Sequence, residues 1–119
     1  MLPATARLTD GQDFRSVVRR GQRAGRRRLV AYVLADGAGS TRVGFIVSKA
    51  VGNSVVRHRV TRRLRHLMRD RLAVLPPGSE VVVRALAPAA TASSVMLGND
   101  VDAAFGKLGL LTAKPGDAL

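Results

Sequence analysis

Guanidinium groups are the chemistry this sequence offers in quantity. Lysine and arginine number 20 against 8 aspartates and glutamates in 119 residues, a formal net charge of +12. Two runs hold most of them. Arg15, Arg19, Arg20, Arg23, Arg26, Arg27 and Arg28 fall in one acid-free stretch. Arg57, Arg59, Arg62, Arg63, Arg65, Arg69 and Arg71 fall in a second, with Asp70 alone opposing them. An arginine fork matches two phosphate oxygens at once and its plane stacks on bases. Clusters of this kind point to a polyanion as partner. Grouping into two runs argues against an evenly solvated charged face.

Chemistry carried by the protein itself has little to stand on. His58 and His66 are eight residues apart, about 12 Å along a helix axis, too far to share one phosphate. The 8 acids are spread along the chain and are not expected to form the paired-carboxylate cluster that holds catalytic Mg²⁺. Cysteine is absent, which excludes a disulfide scaffold and thiolate metal sites. No apolar run approaches the ~20 residues of a membrane span, and Met1–Gln12 has no signal-peptide pattern, so the expected compartment is the cytoplasm. Aromatic residues are 3%, thin for a general single-strand stacking platform. A hydrophobic content of 46% still allows a packed core, so the chain is more than a disordered basic tail.

The elements that must position these cations read as follows. Phe14, Val17 and Val18 give a helical stripe over residues 9–21, with Thr9 as N-cap, Gln12 at capping-box spacing and Gly21 at the end. Residues 22–28 read as a basic loop or short edge strand. Residues 29–35 and 42–48 read as strands, joined by the turn segment 36–40 as an antiparallel hairpin. A long helix runs from about Ser54 to Ala73, capped by Asn53 or Ser54 and stopped by Pro76-Pro77-Gly78. Residues 80–86 read as a strand of fairly continuous apolar character, as expected near a sheet centre. After a loop at 88–94, a helix opens at Ser93 or Ser94 with Leu97, Val101, Ala104, Phe105 and Leu108 on one face. One α+β domain over 1–111 follows, with a flexible tail at 112–119. If 42–48 and 80–86 lie parallel, the long helix is their crossover.

On that long helix, Val56, Val60, Leu64 and Leu67 fall within about 40° of one line. Arg59, Arg62, Arg65, Arg69, His58 and His66 crowd the opposite arc, the four arginines spanning about 15 Å. Their mutual repulsion is a penalty that a polyanion relieves. Lys49, Gly52, Asn53 and Ser54 add a cation and backbone N–H groups at the helix start.

The run Lys49-Ala50-Val51-Gly52-Asn53-Ser54-Val55-Val56-Arg57-His58-Arg59-Val60-Thr61-Arg62-Arg63-Leu64-Arg65 resembles the signature of the bacterial ribonuclease P protein family, K-x-x-G-N-A-V-x-R-N-R-x-K-R-x-x-R. Asp13-Phe14, Tyr32 and Arg42-Val43-Gly44 fit as well, and the resemblance covers roughly residues 7–111. His58 stands where the family usually has asparagine, Thr61 where it has lysine, and Val18 at an often aromatic position.

The resemblance implies an α+β sandwich of order αβββαβα, with one sheet of about four strands, an extra strand near Gln22–Ala24 and a left-handed βαβ crossover. It implies the protein subunit of an enzyme that removes the 5′ leader of precursor tRNA. The chemistry would lie in a catalytic RNA subunit with Mg²⁺ bound mainly by that RNA, and no catalytic residue is expected on the protein. Carried over, Lys49, Asn53, Arg57, His58, Arg59, Arg62, Arg65 and Arg69 would meet the RNA subunit. Phe14, Val18, Tyr32 and Arg84 would line a cleft for the leader. The rival is a structural RNA-binding protein, ribosomal-protein-like, with no role in cleavage. DNA reading is disfavoured because the arginine face has almost no Asn or Gln to read bases. Membrane binding is disfavoured because the apolar stripe lacks Trp and Phe and is needed for the core.

Overall fold

Val81, Val82 and Val83 are all fully buried, and a strand apolar on both faces belongs where both faces are covered. That requirement organises the molecule. The computed structural model describes residues 6–35 and 40–110. Its order is α1 (Gly11–Arg20), β1 (Gln22–Gly25), β2 (Leu29–Ala35), β3 (Arg42–Ile46), α2 (Ser54–Arg69), β4 (Ser79–Ala85) and α3 (Ser94–Lys107), with 3-10 turns at Leu72–Val74 and Ala87–Thr91. The sheet runs β1-β2-β4-β3. β2 is antiparallel to β1 and to β4, whereas β3 is parallel to β4. α2 is therefore the crossover between two parallel strands.

The expected hairpin of β2 with β3 does not form, because β4 lies between them. The valine run, buried on both faces, takes the central slot and separates the two strands that the short link suggested would pair. Other boundaries shift less. Asp10 rather than Thr9 caps α1, its carboxylate accepting from the Gln12 N–H at 2.8 Å. β3 stops at Ile46. α2 ends at Arg69 and a 3-10 turn follows, so Pro76-Pro77-Gly78 lies beyond the helix end. The loop at 88–94 is mostly 3-10 turn. The link at 36–39, the start 1–5 and the tail placed at 112–119 lie outside the described residues.

Strand alternation builds two cores. Leu29, Ala31, Val33, Val43, Val81 and Val83 pack with Val60, Leu64 and Met68 of α2 and Leu97, Val101, Ala104 and Phe105 of α3. On the other face Val30, Tyr32 and Val82 pack with Leu8 and Val17. Among the described residues α1 is the helix on that second face, and Ile46 and Arg84 beside it are only partly buried. α3 ends in left-handed Gly109, φ +73°. The Leu110 N–H bonds to the Phe105 carbonyl and the Gly109 N–H to that of Gly106, which is the Schellman arrangement.

Candidate nucleic-acid interface

α2 starts where Asn53 Oδ1 accepts from the Val56 N–H at 3.0 Å. Gly52 precedes it because a Cβ there would lie 2.8 Å from Val56 Cγ1. Lys49 is exposed in the turn that leads in. Asn53 Oδ1 is engaged as the cap, and its amide nitrogen holds no protein partner among the described residues. The helix then buries Val60, Leu64 and Met68 and turns its charges outward.

Those charges are not equivalent. Arg59 donates to the Ala90 carbonyl at 3.3 Å and Arg63 to that of Ala92. Both lie on the flank facing the second 3-10 turn and strap it to α2. Arg69 sits 3.4 Å from Asp70. Arg71 forks onto Asp102 at 2.7 and 3.0 Å and donates to the Leu67 carbonyl. The Asp102 hydrogen bonds raise the Arg71 pKa above its ordinary value, against the cost of burial, with the charges of Asp102 and Asp70 adding to the rise. Arg57 reaches Ser54 Oγ at 3.3 Å, and its Nε is buried without an acceptor. Within this run, among the described residues, Arg62 and Arg65 hold no protein partner. The expected ladder of Arg59, Arg62, Arg65 and Arg69 is thus two free groups between two tied ones. Ser54, Arg57, His58, Thr61, Arg62 and Arg65 line a groove of about 510 Å³ on the exposed side.

The opposite face carries a second concavity of about 300 Å³, lined by Phe14, Arg15, Val18, Arg19, Ile46 and Arg84. The Phe14 ring lies over Gly44, where any Cβ would overlap it. Phe14, Val18 and Arg84 are brought together as expected. Tyr32 is not on this surface. It is 5% exposed, with the Arg84 guanidinium 5.6 Å above its ring centroid. As the cross-strand partner of Val82, it is held in the second core, so the cation that covers it is what faces outward. Arg15 and Arg19 were missed as wall residues. Their i and i+4 spacing beside Phe14 and Val18 was the available signal.

A third, smaller concavity joins the two. It shares Thr61 and Arg65 with the groove on α2 and Phe14 with the cleft beside α1, passing Arg7 and the β3 edge at Gly44. The surface is therefore continuous around one edge of the sheet.

The described carboxylates are all engaged. Asp10 caps α1, Asp13 and Glu80 hold Arg42, Asp70 meets Arg69, Asp100 meets Arg28 at 3.2 Å and Asp102 meets Arg71. Asp100 and Asp102 stand at a D-x-D spacing that the reading of scattered acids passed over. On a helix, residues two apart diverge, and each is held by a different arginine. Among the described residues no group of three or more His, Asp or Glu is placed to hold a metal ion, and no helix is long and apolar enough to cross a membrane.

The profile of the family described as Ribonuclease P matches residues 2–109. A ribonuclease P protein component of Streptomyces avermitilis is 53% identical over 117 residues, covering 91% of this chain and 95% of that protein. One from Corynebacterium diphtheriae is 49% identical over 115 residues, covering 91% and 97%. Among solved structures, the RNase P protein of Staphylococcus aureus superposes with a TM-score of 0.80 at 21% identity, covering 90% of this chain and 98% of that one. That of Thermotoga maritima, in complex with 1-(4-fluorophenyl)-2-thiourea, gives 0.74 at 19% identity, covering 91% and 100%.

Proposed function

The chain belongs to the bacterial ribonuclease P protein family, and from that premise we propose that it binds the catalytic RNA subunit through α2 and the 5′ leader of precursor tRNA through the cleft beside α1. It thereby promotes hydrolytic removal of the leader in the cytoplasm. One observation carries this reading: the outward side of α2 is a groove walled by Arg57, His58, Arg62 and Arg65, with Arg62 and Arg65 unpaired among the described residues. In a chain of net charge +12, such groups repel one another until phosphates neutralise them.

Each candidate residue then has a task. Arg62 and Arg65 meet RNA phosphates, with His58 beside them in the groove and Lys49 contributing from the turn before α2. Arg57 has a shielded Nε without an acceptor, a cost of about 1–3 kcal/mol that turning toward a phosphate recovers. Arg59 and Arg69 approach RNA at the groove's margins, and Asn53 contributes chiefly by starting the helix. In the cleft, Phe14 and Val18 offer apolar surface to bases, while Arg15, Arg19 and Arg84 take the backbone. Tyr32 acts from beneath by holding Arg84.

The hydrolytic chemistry is assigned to the RNA subunit. Mg²⁺ supplies charge neutralisation and an activated water in phosphodiester hydrolysis, but the protein's residues do not fit it: each described carboxylate already serves a cap or an arginine. The ions are therefore assigned mainly to the RNA.

The test is reconstitution with the cognate RNA subunit at low Mg²⁺. Wild-type protein is expected to stimulate leader removal. Arg62→Gln with Arg65→Gln should require more protein for the same stimulation and reduce the salt dependence of assembly by about one log–log unit per arginine. Binding to RNA without any stimulation would favour the structural-protein alternative. Unchanged affinity in the double variant would remove α2 from the interface.

A further inference from the structure

The first arginine run is mostly outside the surface assigned so far. Arg28 is tied to Asp100 and Arg15 and Arg19 wall the cleft. Arg23 and Arg26 are exposed and hold no protein partner among the described residues. The sheet register shows where they stand. Ile46 pairs with Arg84, Arg84 with Val30, and Val30 with Gly25. Directly paired residues share a face, so these four make one row across the sheet, on the face that carries the cleft. Ile46 and Arg84 are already its floor. Val30, next in the row, is a packed floor residue with 9% exposure, and beyond it the row reaches the exposed β1 edge at Gly25. A Cβ at Gly25 would meet nothing closer than 4.0 Å, so the row ends in open space. Arg23 pairs with Tyr32 and therefore rises from this same face, and Arg26 follows Gly25 directly.

We infer that the cleft continues over Val30 and Gly25 to an outer subsite at Arg23 and Arg26, which takes the phosphates of single-stranded leader nucleotides farther from the cleavage point. The inference rests on the cleft being the leader site. From Arg84 to β1 is two strand spacings, about 10 Å, the length of about three stacked nucleotides. The turn is a firm support: the Arg26 N–H bonds to the Leu29 carbonyl at 2.8 Å, the Leu86 N–H to that of Arg28 at 2.9 Å, and Ala24 is buried. The backbone that carries its cations is held in place before RNA arrives, which lowers the ordering cost of binding.

The experiment uses holoenzyme reconstituted from full-length protein and cognate RNA subunit. It measures Kd for precursor tRNAs whose leaders either end in the cleft or extend past it. Wild type is expected to bind the longer leader more tightly. Arg23→Gln with Arg26→Gln should abolish that advantage and lower the log–log salt slope for the long leader by about 0.7 per lost contact, leaving short-leader affinity unchanged. Gly25→Val keeps every charge but raises a side chain in the path, and it should lose the same advantage. If the double variant keeps the full advantage, or wild type is indifferent to the added length, the outer subsite is overturned and the cleft stands. If wild type binds short-leader precursor no better than mature tRNA, the cleft reading and its extension fall together.

Discussion

Phe14 and Gly44 show how much a single atom decides at the cleft. The aromatic ring occupies the space a Cβ would need. Gly44→Ala must push the ring off the sheet or bend β3, an overpacking cost of about 1–3 kcal/mol. The expected result is a lower denaturation midpoint together with weaker binding of leader-bearing substrate, measured against mature tRNA as control. A drop in stability with leader affinity intact would show that the ring's position is immaterial to binding. Tyr32 is the poorer probe, because its truncation would open the second core. The arginines teach a similar lesson. A helical projection correctly placed Arg62 and Arg65 outward, since burial of Val60 and Leu64 dictates the opposite side. It was blind to the ties of Arg59 and Arg63, whose acceptors at Ala90 and Ala92 lie some thirty residues onward in the chain.

The elements themselves were largely legible. α2 and α3 follow from apolar spacing and from caps at Asn53 and Ser93, and the three longer strands follow from β-branched runs. Strand order was legible only in part. The apolar run at Val81–Val83 signalled a central strand, which needs neighbours on both edges, but it did not say which neighbours; the short β2–β3 link signalled a hairpin, whereas β4 in fact lies between those two strands. Glycines within α3 also carry different meanings. A Cβ at Gly98 would stand 3.2 Å from Leu67 Cδ2 and 3.3 Å from the Arg71 guanidinium, whereas at Gly106 it would meet nothing within 4 Å. Gly106→Ala is expected to stabilise the protein by about 0.5–1 kcal/mol through helix propensity, and Gly98→Ala to gain less or to lose stability. Chemical denaturation of the two variants checks this, and equal gains would mean that α2 and α3 do not need the close approach. Arg71, at that contact, gives no pH dependence in the working range. A raised folded-state pKa stabilises below the unfolded value and is lost only as pH climbs past it, which for a guanidinium lies far in the alkaline region.

At the scale of the whole molecule, charge and topology are linked. The described carboxylates are used as caps and arginine partners, so the excess of cations is displayed on surfaces instead of being neutralised within. The sheet that supports those surfaces closes through its last strand: β2 and β3 touch β4 but not each other. A fragment ending at Gly78 is therefore expected to show no cooperative unfolding and rapid proteolysis, and adding a peptide of residues 79–110 should restore both structure and protection. A cooperative fold in the fragment alone would contradict the central role of β4.

That topology has a consequence during translation. α2 leaves the ribosome before the strand that completes its sheet, so Val60, Leu64 and Met68 have no finished core to enter while the arginines beside them are already in solution. The nascent chain is therefore an unfolded polycation with unburied apolar residues until residues 79–85 have cleared the exit tunnel.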